Sequence, residues 1–254
     1  MIFKTSKSFF KDLEKKAFNK DIWLSEWYPK ICDYLEINPD DDSIALQKIL
    51  SFVAGNYPSY GLKQHLQGKR IIAIAPGTNL EEEIEIYLKK FKSKDDILIS
   101  ADGATTYLHS IDIIPDIIVT DFDGNVKDQL LAQQEGSILL IHVHGDNYQT
   151  IQKYVPSISE GNFLLTTQTE ALPGSHNFFG FTDGDRIVCL ATIMNSQEIV
   201  LLGYDFGPNI GKYSKNGEID QIRKIRKIRK FTIGKSIINW CHNSSQKITF
   251  ISQD

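Results

Sequence analysis

Several common sequence features are scarce or missing in this chain of 254 residues. Its three cysteines, Cys32, Cys189 and Cys241, are too few and too scattered for a disulfide framework or a cysteine-based zinc site. No apolar run approaches the roughly 20 residues that a membrane-spanning helix needs. The N-terminus lacks the apolar segment of a signal peptide. We therefore expect a cytoplasmic protein with reduced cysteines and no membrane partner.

A large excess of charge of one sign is also missing. The chain has 28 Lys and Arg against 32 Asp and Glu, which gives a net charge of −4. This mildly acidic balance argues against a dedicated nucleic-acid-binding protein. The glycine-containing turns match neither a Walker loop nor a GxGxxG fingerprint. Small molecules are the expected partners, bound by a monomer or a homodimer.

The hydrophobic pattern changes near residue 66 and predicts two regions. Residues 1–65 read as a helical cap, in which Asn38 and Pro39 begin a helix that Gly55 ends. Trp23 and Trp27 lie in a second helical segment, either as a platform for a flat ring or as anchors that pack the cap. Residues 66–254 form the predicted α/β catalytic domain.

Six short apolar runs in the second region alternate with segments of helix length. They are residues 71–75, 97–100, 117–120, 138–143, 163–166 and 198–202. Strands buried on both faces have this nearly continuous hydrophobic character, which is typical of parallel sheets. The sequence therefore predicts an α/β fold with a mostly parallel, doubly wound sheet.

Each predicted strand is followed at once by a polar cluster. The carboxyl ends of parallel strands share one edge of a sheet, and ligands bind there in open α/β folds. After the first strand, Gly77 and Thr78 lead into a helix, with Thr78 and Glu81 spaced as a capping box. Such a helix start either binds an anion such as a phosphate or is an ordinary turn.

Asp121 and Asp123 are the most informative pair. Two carboxylates at i and i+2 on extended backbone point to the same side and repel each other unless a cation lies between them. Mg²⁺ takes one or two carboxylates together with substrate phosphates. A solvated turn is the alternative. Asp102 and Asp146 follow other strands and either complete the metal shell or hold ribose hydroxyls.

Three further features allow more than one interpretation. His142 and His144 alternate by two, but two histidines without a third ligand at a fixed spacing predict zinc only weakly. In the loop 174–186, aromatic side chains offer a pocket for a planar ring, and polar side chains offer contacts to the ring or phosphate, or a cap for the next helix. These residues are Phe178, Phe179, Phe181, Asp183, Asp185 and Arg186.

The third feature is a basic run at residues 223–230. Ile222, Ile225, Ile228 and Phe231 recur every three residues, which on a helix predicts a broad packed face with basic flanks. Those flanks are either solvated or reach the phosphates of a nucleotide. Nucleic-acid binding has little support here, because no aromatic residues interleave with the basic ones.

Together the strand-end motifs resemble those of the archaeal 6-hydroxymethyl-7,8-dihydropterin pyrophosphokinase family, which is related to thiamin pyrophosphokinases. The motifs are APGTNL (75–80), ADGAT (101–105), PDIIVTDFDG (115–124), HVHGDN (142–147), TTQ (166–168), GFTDGDR (180–186) and LLGYDFG (201–207). The resemblance implies a thiamin-pyrophosphokinase-like fold, Mg²⁺, and transfer of diphosphate from ATP to the hydroxymethyl group of a pterin. That reaction belongs to the synthesis of tetrahydromethanopterin or folate-type cofactors.

The resemblance also implies a set of site residues. Asp121 and Asp123 correspond to the Mg²⁺ ligands, with Asp102 and Asp146 beside them as further catalytic residues. Substrate or nucleotide contacts are expected from Gly77, Thr78, Asn79, Gly103, Asn147, Thr167, Gln168, Asp183, Asp185, Arg186 and Asp205. The chain departs from the family pattern at Phe122 and Tyr204, where aliphatic residues are commoner, and at Phe179, where glycine is expected.

Three other functions fit the same pattern of residues. One is a thiamin pyrophosphokinase, which catalyses the same type of reaction on another acceptor. The second is a nucleotide-sugar-dependent glycosyltransferase of a related domain family, since paired aspartates also hold Mg²⁺ on sugar nucleotides. The third is a nucleotide-binding module without catalysis.

Overall fold

A computed structural model describes residues 9–207, 209–214 and 221–251. Within these ranges a single sheet of eight strands runs in the order β6-β5-β4-β3-β2-β1-β7-β8, and every pairing is parallel. The strands are β1 Arg70–Ile74, β2 Ile97–Ala101, β3 Ile117–Thr120, β4 Ile138–His142, β5 Phe163–Thr166, β6 Ser175–His176, β7 Glu198–Leu202 and β8 Ile248–Phe250. The predicted α/β fold with a parallel sheet is confirmed.

Helices precede the sheet and connect its strands. They are α1 Lys20–Ile22, α2 Tyr28–Leu35, α3 Pro39–Leu50, α4 Ser59–Leu66, α5 Leu80–Ile86, α6 Ala104–Ser110, α7 Val126–Gln134, α8 Tyr148–Ile158, α9 Asp183–Ile193 and α10 Gln221–Asn243. A π-helical turn at Trp23–Trp27 joins α1 to α2, and another at Tyr87–Phe91 extends α5. None of the helices in the described ranges is both long and apolar enough to cross a membrane.

Both faces of the sheet are covered, and alternate strand residues belong to different clusters. Ile71 and Ala73 pack with α9, α10 and the N-terminal helices, whereas Ile72 and Ile74 pack with α5 and α6 on the opposite face. This two-sided burial explains why the strands read as continuous apolar runs. The six predicted strands are confirmed to within one residue at each end. The sequence missed β6 and β8, which have two and three residues.

The N-terminal helices share the core of the sheet. Trp23 and Trp27 are fully buried, and both rings pack against Trp240 of α10. The interpretation of these tryptophans as packing anchors is therefore confirmed over that of a ligand platform. Helix α3 packs on the other face, beside α8, through Leu46 and Ile49. The N-terminal region thus covers both faces of the sheet near β4 and β5.

Two local predictions about helix ends are wrong. Helix α3 ends at Leu50 rather than at Gly55, because Gly55 lies against the backbone of β5, where a Cβ would be 3.1 Å from the Cα of Leu164. Helix α5 begins after Asn79, and no side-chain cap from Asn79 is present in the described structure. Thr78 does not form the expected capping box with Glu81, since its backbone N–H and its hydroxyl both donate to Asp205 after β7.

Candidate active site

A cavity of about 600 Å³ opens at the carboxyl edge of the sheet. It is lined by residues that follow all six predicted strands, including Gly77, Asp102, Asp121, His144, Gln168 and Asp205. The chain reverses its direction of strand addition between β1 and β7, so one end of the cavity lies at the topological switch point of the sheet. The predicted clustering of polar strand ends at one edge is confirmed.

At the switch-point end of the cavity, glycines allow two backbone segments to lie very close together. A Cβ on Gly77 would lie 2.1 Å from the carbonyl oxygen of Gly203, and a Cβ on Gly203 would lie 1.9 Å from that of Ala75. Gly203 also has a φ of +75°, in the left-handed region that favours glycine. Only residues without a side chain fit here, and they leave backbone groups facing the cavity.

Three carboxylates meet near the middle of the sheet edge. Asp102 follows β2, whereas Asp121 and Asp123 follow β3, and each offers an oxygen within 4.8 Å of the others. Thr120 and Gln129 donate hydrogen bonds of 2.7 and 2.6 Å to Oδ1 of Asp102 and fix its orientation. We call these three aspartates the acidic trio.

The backbone of the acidic trio differs from the predicted geometry. Asp121 and Asp123 lie on a turn rather than on an extended strand: Phe122 has a φ of +63°, and the Asp123 N–H donates to Oδ1 of Asp121 at 3.1 Å. Gly124 gives the turn room, as expected, because a Cβ there would lie 2.3 Å from the Asp102 carboxylate. The turn thus places Asp121 and Asp123 beside Asp102, which follows the neighbouring strand β2.

The electrostatics of the trio favour a bound cation. Burial raises the pKa of Asp102 well above its ordinary value, and the charges of Asp121 and Asp123 raise it further. Burial also acts to raise the pKa of Asp121, but the His144 hydrogen bond and the charges of His144 and Lys230 outweigh it and lower that pKa to about 2. Carboxylate oxygens are the ligands that Mg²⁺ prefers, so the donor set fits this ion.

The two histidines have separate roles. His144 Nε2 lies 3.4 Å from Oδ2 of Asp121. His142 is 3% exposed, and burial lowers its pKa well below the ordinary value, so its ring is neutral near pH 7. Among the described residues, the only potential metal-binding group that is found is the acidic trio. The arrangement of the described residues therefore gives no support to the weak zinc interpretation.

The loop before α9 contributes less to the cavity than the sequence suggested. Phe178 stacks on His176, and Phe179 packs against Trp23, so neither ring lines the cavity in the described structure. Phe181 does line it, with the Lys230 ammonium 5.6 Å from its ring centre. Phe179 replaces the glycine expected from the resemblance and has a φ of +62°.

Helix α9 begins at the floor of the cavity. Asp183 and Arg186 face the cavity, but Asp185 caps the helix by accepting hydrogen bonds from the backbone N–H groups of Phe181 and Thr182. Burial, followed by the charges of Asp121 and Asp102, raises the pKa of Asp183. Asp183 therefore gains a proton more readily than an ordinary aspartate, because it is buried close to the acidic trio.

The basic run lies in α10, and some of its cationic side chains face the cavity. Arg226, Lys227 and Lys230 line the cavity wall together with Phe231. The predicted packed face of isoleucines is wrong, because Ile222, Ile225 and Ile228 are 81%, 51% and 37% exposed. Repeats of three residues drift around a helix, so only the last apolar position reaches the protein.

The remaining predicted residues fall into two groups. Asp146 and Asn147 line the cavity, and the Asn147 amide ties the β4 loop to β3 by donating to the carbonyls of His142 and Asp121. Five others lie outside the cavity lining of the described structure. They are Thr78, Asn79, Gly103, Thr167 and Asp185. Thr78 positions Asp205, which does line the cavity.

Helix α3 contributes a residue to the site that the sequence analysis did not identify. Asp42 is 3% exposed, and its carboxylate accepts hydrogen bonds from Tyr28 Oη, Gln168 Nε2 and the backbone N–H of Gly145. It thereby joins the N-terminal region to the ends of β4 and β5. In the sequence Asp42 is one of three carboxylates in the first turn of a helix, and nothing local signals these distant partners.

Comparison with known proteins identifies the family of this chain. The family described as "6-hydroxymethylpterin diphosphokinase MptE-like" matches residues 46–211. The 6-hydroxymethyl-7,8-dihydropterin pyrophosphokinase of Methanothermobacter thermautotrophicus is 33% identical over 227 residues, which are 86% of this chain and 93% of that protein. The enzyme of the same name from Pyrococcus furiosus is 34% identical over 229 residues, 87% of this chain and 95% of that protein.

A third relative extends the agreement. The 6-hydroxymethyl-7,8-dihydropterin pyrophosphokinase of Methanocaldococcus jannaschii is 34% identical over 230 residues, 85% of this chain and 95% of that protein. The matched region contains the acidic trio and the glycines of the switch point. The resemblance seen in the strand-end motifs is confirmed, and the chain belongs to the MptE-like family of 6-hydroxymethylpterin diphosphokinases.

Proposed function

We propose that this chain transfers diphosphate from ATP to the hydroxyl group of 6-hydroxymethyl-7,8-dihydropterin and releases AMP. The observation that carries the proposal is the acidic trio in the middle of a cavity lined by residues from six strand ends. The relatives are named 6-hydroxymethyl-7,8-dihydropterin pyrophosphokinases, and these names indicate a pterin acceptor and transfer of diphosphate. The pterin hydroxyl oxygen would bond to the β-phosphorus, the bond from that phosphorus to the α–β bridging oxygen would break, and the hydroxyl proton would be released.

Asp102, Asp121 and Asp123 would hold Mg²⁺, which neutralises charge on the phosphate oxygens when it is bound. Residues of the chain do the rest of the positioning. Arg226, Lys227 and Lys230 bring positive charge to the same cavity from α10. Electrostatic stabilisation by groups that are already in place is the main contribution that a protein makes to phosphoryl transfer.

The switch-point end of the cavity suits the nucleotide. Gly77 and Gly203 line this end of the cavity without side chains, and Asp205 is held there by Thr78. No Walker lysine is present in the sequence to bind a γ-phosphate for simple kinase chemistry. A diphosphate ester on a CH₂ group is activated for displacement by an amine, which suits the tetrahydromethanopterin or folate-type pathway implied by the resemblance.

The test is an acceptor panel with AMP as the readout. The purified chain is incubated with ATP and Mg²⁺ together with 6-hydroxymethyl-7,8-dihydropterin, thiamin or a nucleotide sugar, and nucleotides are separated by chromatography. The matched control acceptor is 6-methyl-7,8-dihydropterin, which keeps the ring but lacks the hydroxyl. AMP formation only with the hydroxymethyl compound supports the proposal. AMP formation with thiamin alone, or glycosyl transfer from the nucleotide sugar, would replace it with an alternative.

A further inference from the structure

Arg186 presents buried donors to the cavity that the protein itself does not use. The side chain is 3% exposed and lines the cavity from α9. Its Nη2 donates to the carbonyl oxygen of Phe181 at 3.2 Å, but Nε and Nη1 have no hydrogen-bond partner among the described residues. Leaving a buried donor without an acceptor is destabilising, and more so when the donor is charged. A ligand acceptor at this place would remove that cost.

His142 adds a second unused atom beside Arg186. Its Nδ1 lies 3.3 Å from Thr166 Oγ1, whereas its Nε2 has no hydrogen-bond partner in the described part of the chain. Burial and the nearby charge of Arg186 lower the pKa of His142, so the ring is neutral. A neutral imidazole offers either a single donor or a single acceptor at Nε2, which suits the edge of a polar heterocycle.

The wall next to these residues is rigid. Gln168 Nε2 donates to Asp42 Oδ2 at 2.5 Å, and the Gln168 backbone carbonyl accepts from Trp23 Nε1 at 2.9 Å. Asp42 is held in turn by Tyr28 and Gly145. Gln168 lines the cavity, and its hydrogen bonds to the N-terminal helices hold its side chain in place.

The strand order separates this part of the cavity from the nucleotide end. The acidic trio follows β2 and β3, His142 ends β4, Gln168 follows β5, and the glycines follow β1 and β7. Neighbouring strands are about 4.8 Å apart, so β4 lies roughly 5 Å and β5 roughly 10 Å from β3, on the side opposite the switch point. A metal-bound diphosphate at the trio would then lie between two ligands, one at each end.

We propose that the β4–β5 end of the cavity is the subsite for the acceptor ring, in which Arg186 donates to the ring carbonyl oxygen of a dihydropterin while His142 contacts the same edge. This inference rests on the proposed function and deepens it. A dihydropterin carries a carbonyl oxygen and an imine nitrogen as acceptors on one edge, and its hydroxymethyl group would point back toward the trio. The basic side chains of α10 that line the cavity would serve the phosphates.

The experiment measures binding of each substrate separately in Arg186→Met, with the full chain. The affinity for 6-hydroxymethyl-7,8-dihydropterin is measured by its fluorescence, and the affinity for a non-hydrolysable ATP analogue with Mg²⁺ is measured by calorimetry. We expect the pterin dissociation constant to rise about 10- to 100-fold, the range for a lost hydrogen bond to a charged group. The nucleotide dissociation constant should change less than about twofold.

Three further variants make the result specific. Arg70→Met removes an arginine that pairs with Asp96 at the opposite end of β1, and it should leave both affinities unchanged. Asp205→Asn, at the switch-point end, should weaken nucleotide binding and spare the pterin. Arg186→Lys keeps the positive charge and should retain part of the pterin affinity. It replaces Arg186→Met in the test if thermal melting shows that Arg186→Met is unstable.

Two outcomes would overturn the assignment of this subsite. If Arg186→Met and Arg186→Lys lose nucleotide affinity but keep pterin affinity, Arg186 is a phosphate contact. If both affinities stay normal in folded variants, Arg186 contacts neither ligand. Failure of the proposed function can be told apart from failure of this subsite, because the unaltered chain would then not bind the dihydropterin at all.

Discussion

Asp42 and Gln168 are 126 positions apart in sequence, yet the Gln168 amide donates a 2.5 Å hydrogen bond to the Asp42 carboxylate. Both side chains are buried at the β4–β5 end of the cavity. The contact makes the N-terminal helices part of the active-site wall, in addition to their role in covering the sheet. The geometry of the site therefore depends on helices that precede the first strand of the sheet.

Replacing Asp42 with alanine tests this dependence. Asp42→Ala leaves Tyr28 Oη, Gln168 Nε2 and the Gly145 N–H without their shared acceptor. We expect a loss of about 1–3 kcal/mol in the free energy of unfolding, typical of buried groups left unsatisfied. We also expect a higher KM for the pterin, because Gln168 is no longer fixed. Urea unfolding and steady-state kinetics measure the two effects.

Asp40→Ala is the matched control, since Asp40 lies in the same first turn of α3 but is exposed. It should change the free energy of unfolding by less than about 0.5 kcal/mol, as most surface substitutions do. Equal effects of the two substitutions would mean that Asp42 acts only through the helix dipole, and the proposed link to Gln168 would be wrong.

The acidic trio predicts a loss of metal affinity in conservative variants. Asp102→Asn, Asp121→Asn and Asp123→Asn each replace one carboxylate oxygen of the candidate Mg²⁺ site. Changes in residues that only support metal ligands already cost 10- to 100-fold in affinity, so we expect loss of a ligand to cost more than about 100-fold. Calorimetric titration with Mg²⁺ in the presence of the ATP analogue measures this, and Asp95→Asn on an exposed loop is the control. Near-normal Mg²⁺ affinity in all three folded variants would refute the metal assignment.

Gly203 and Gly68 have similar φ angles, so alanine substitutions at the two positions distinguish the cost of close packing from the cost of backbone strain. Gly203 has a φ of +75° and Gly68 a φ of +69°, but a Cβ on Gly68 meets no described atom within 4 Å. Gly68→Ala should cost about 1–2 kcal/mol from the left-handed conformation alone. Gly203→Ala should cost a further 1–3 kcal/mol or so from overpacking and should also weaken nucleotide binding. Equal stabilities in urea unfolding would contradict the close approach of β1 and β7.

The buried His142 predicts a dependence of stability on pH. Its pKa in the folded chain lies well below the ordinary value of about 6.5. As the pH falls below 6.5, the unfolded chain gains a proton on this histidine that the folded chain does not take up. The stabilisation present above pH 6.5 is therefore lost progressively, by up to about 1.4 kcal/mol per pH unit.

Urea unfolding at pH 7, 6 and 5 measures this slope, and His142→Gln should flatten it. Half-buried His176 shifts in the same direction, because burial lowers its pKa too, and it remains in both proteins as an internal reference. An unchanged slope in His142→Gln would show that His142 is charged in the folded chain.

The sequence predicted the central strands well because their physical signal is local. Residues 117–120 are apolar at every position but the last, and both faces of this strand are buried. The paired Asp121 and Asp123 lie directly after it, so their position at the sheet edge follows from the strand. Strand β6 has only two residues, which is too short to leave a pattern.

The parts of the site that were missed depend on tertiary packing. Nothing near Asp42 in the sequence indicates that α3 would lie beside β4 and β5, because its partners come from distant segments. The exposure of Ile222 and Ile225 has the same origin, since helical spacing does not say which face of α10 meets the protein. Turn geometry at Phe122 was also missed, because a positive φ is unusual for a phenylalanine.

In the proposed reaction, the β- and γ-phosphoryl groups of ATP move together to the pterin hydroxyl. The most direct test follows the label of β-³²P-ATP in the presence of Mg²⁺ and 6-hydroxymethyl-7,8-dihydropterin. Transfer of diphosphate predicts a labelled pterin product and unlabelled AMP in equal amounts. A labelled ADP with an unlabelled pterin monophosphate would show γ-phosphoryl transfer and contradict the account.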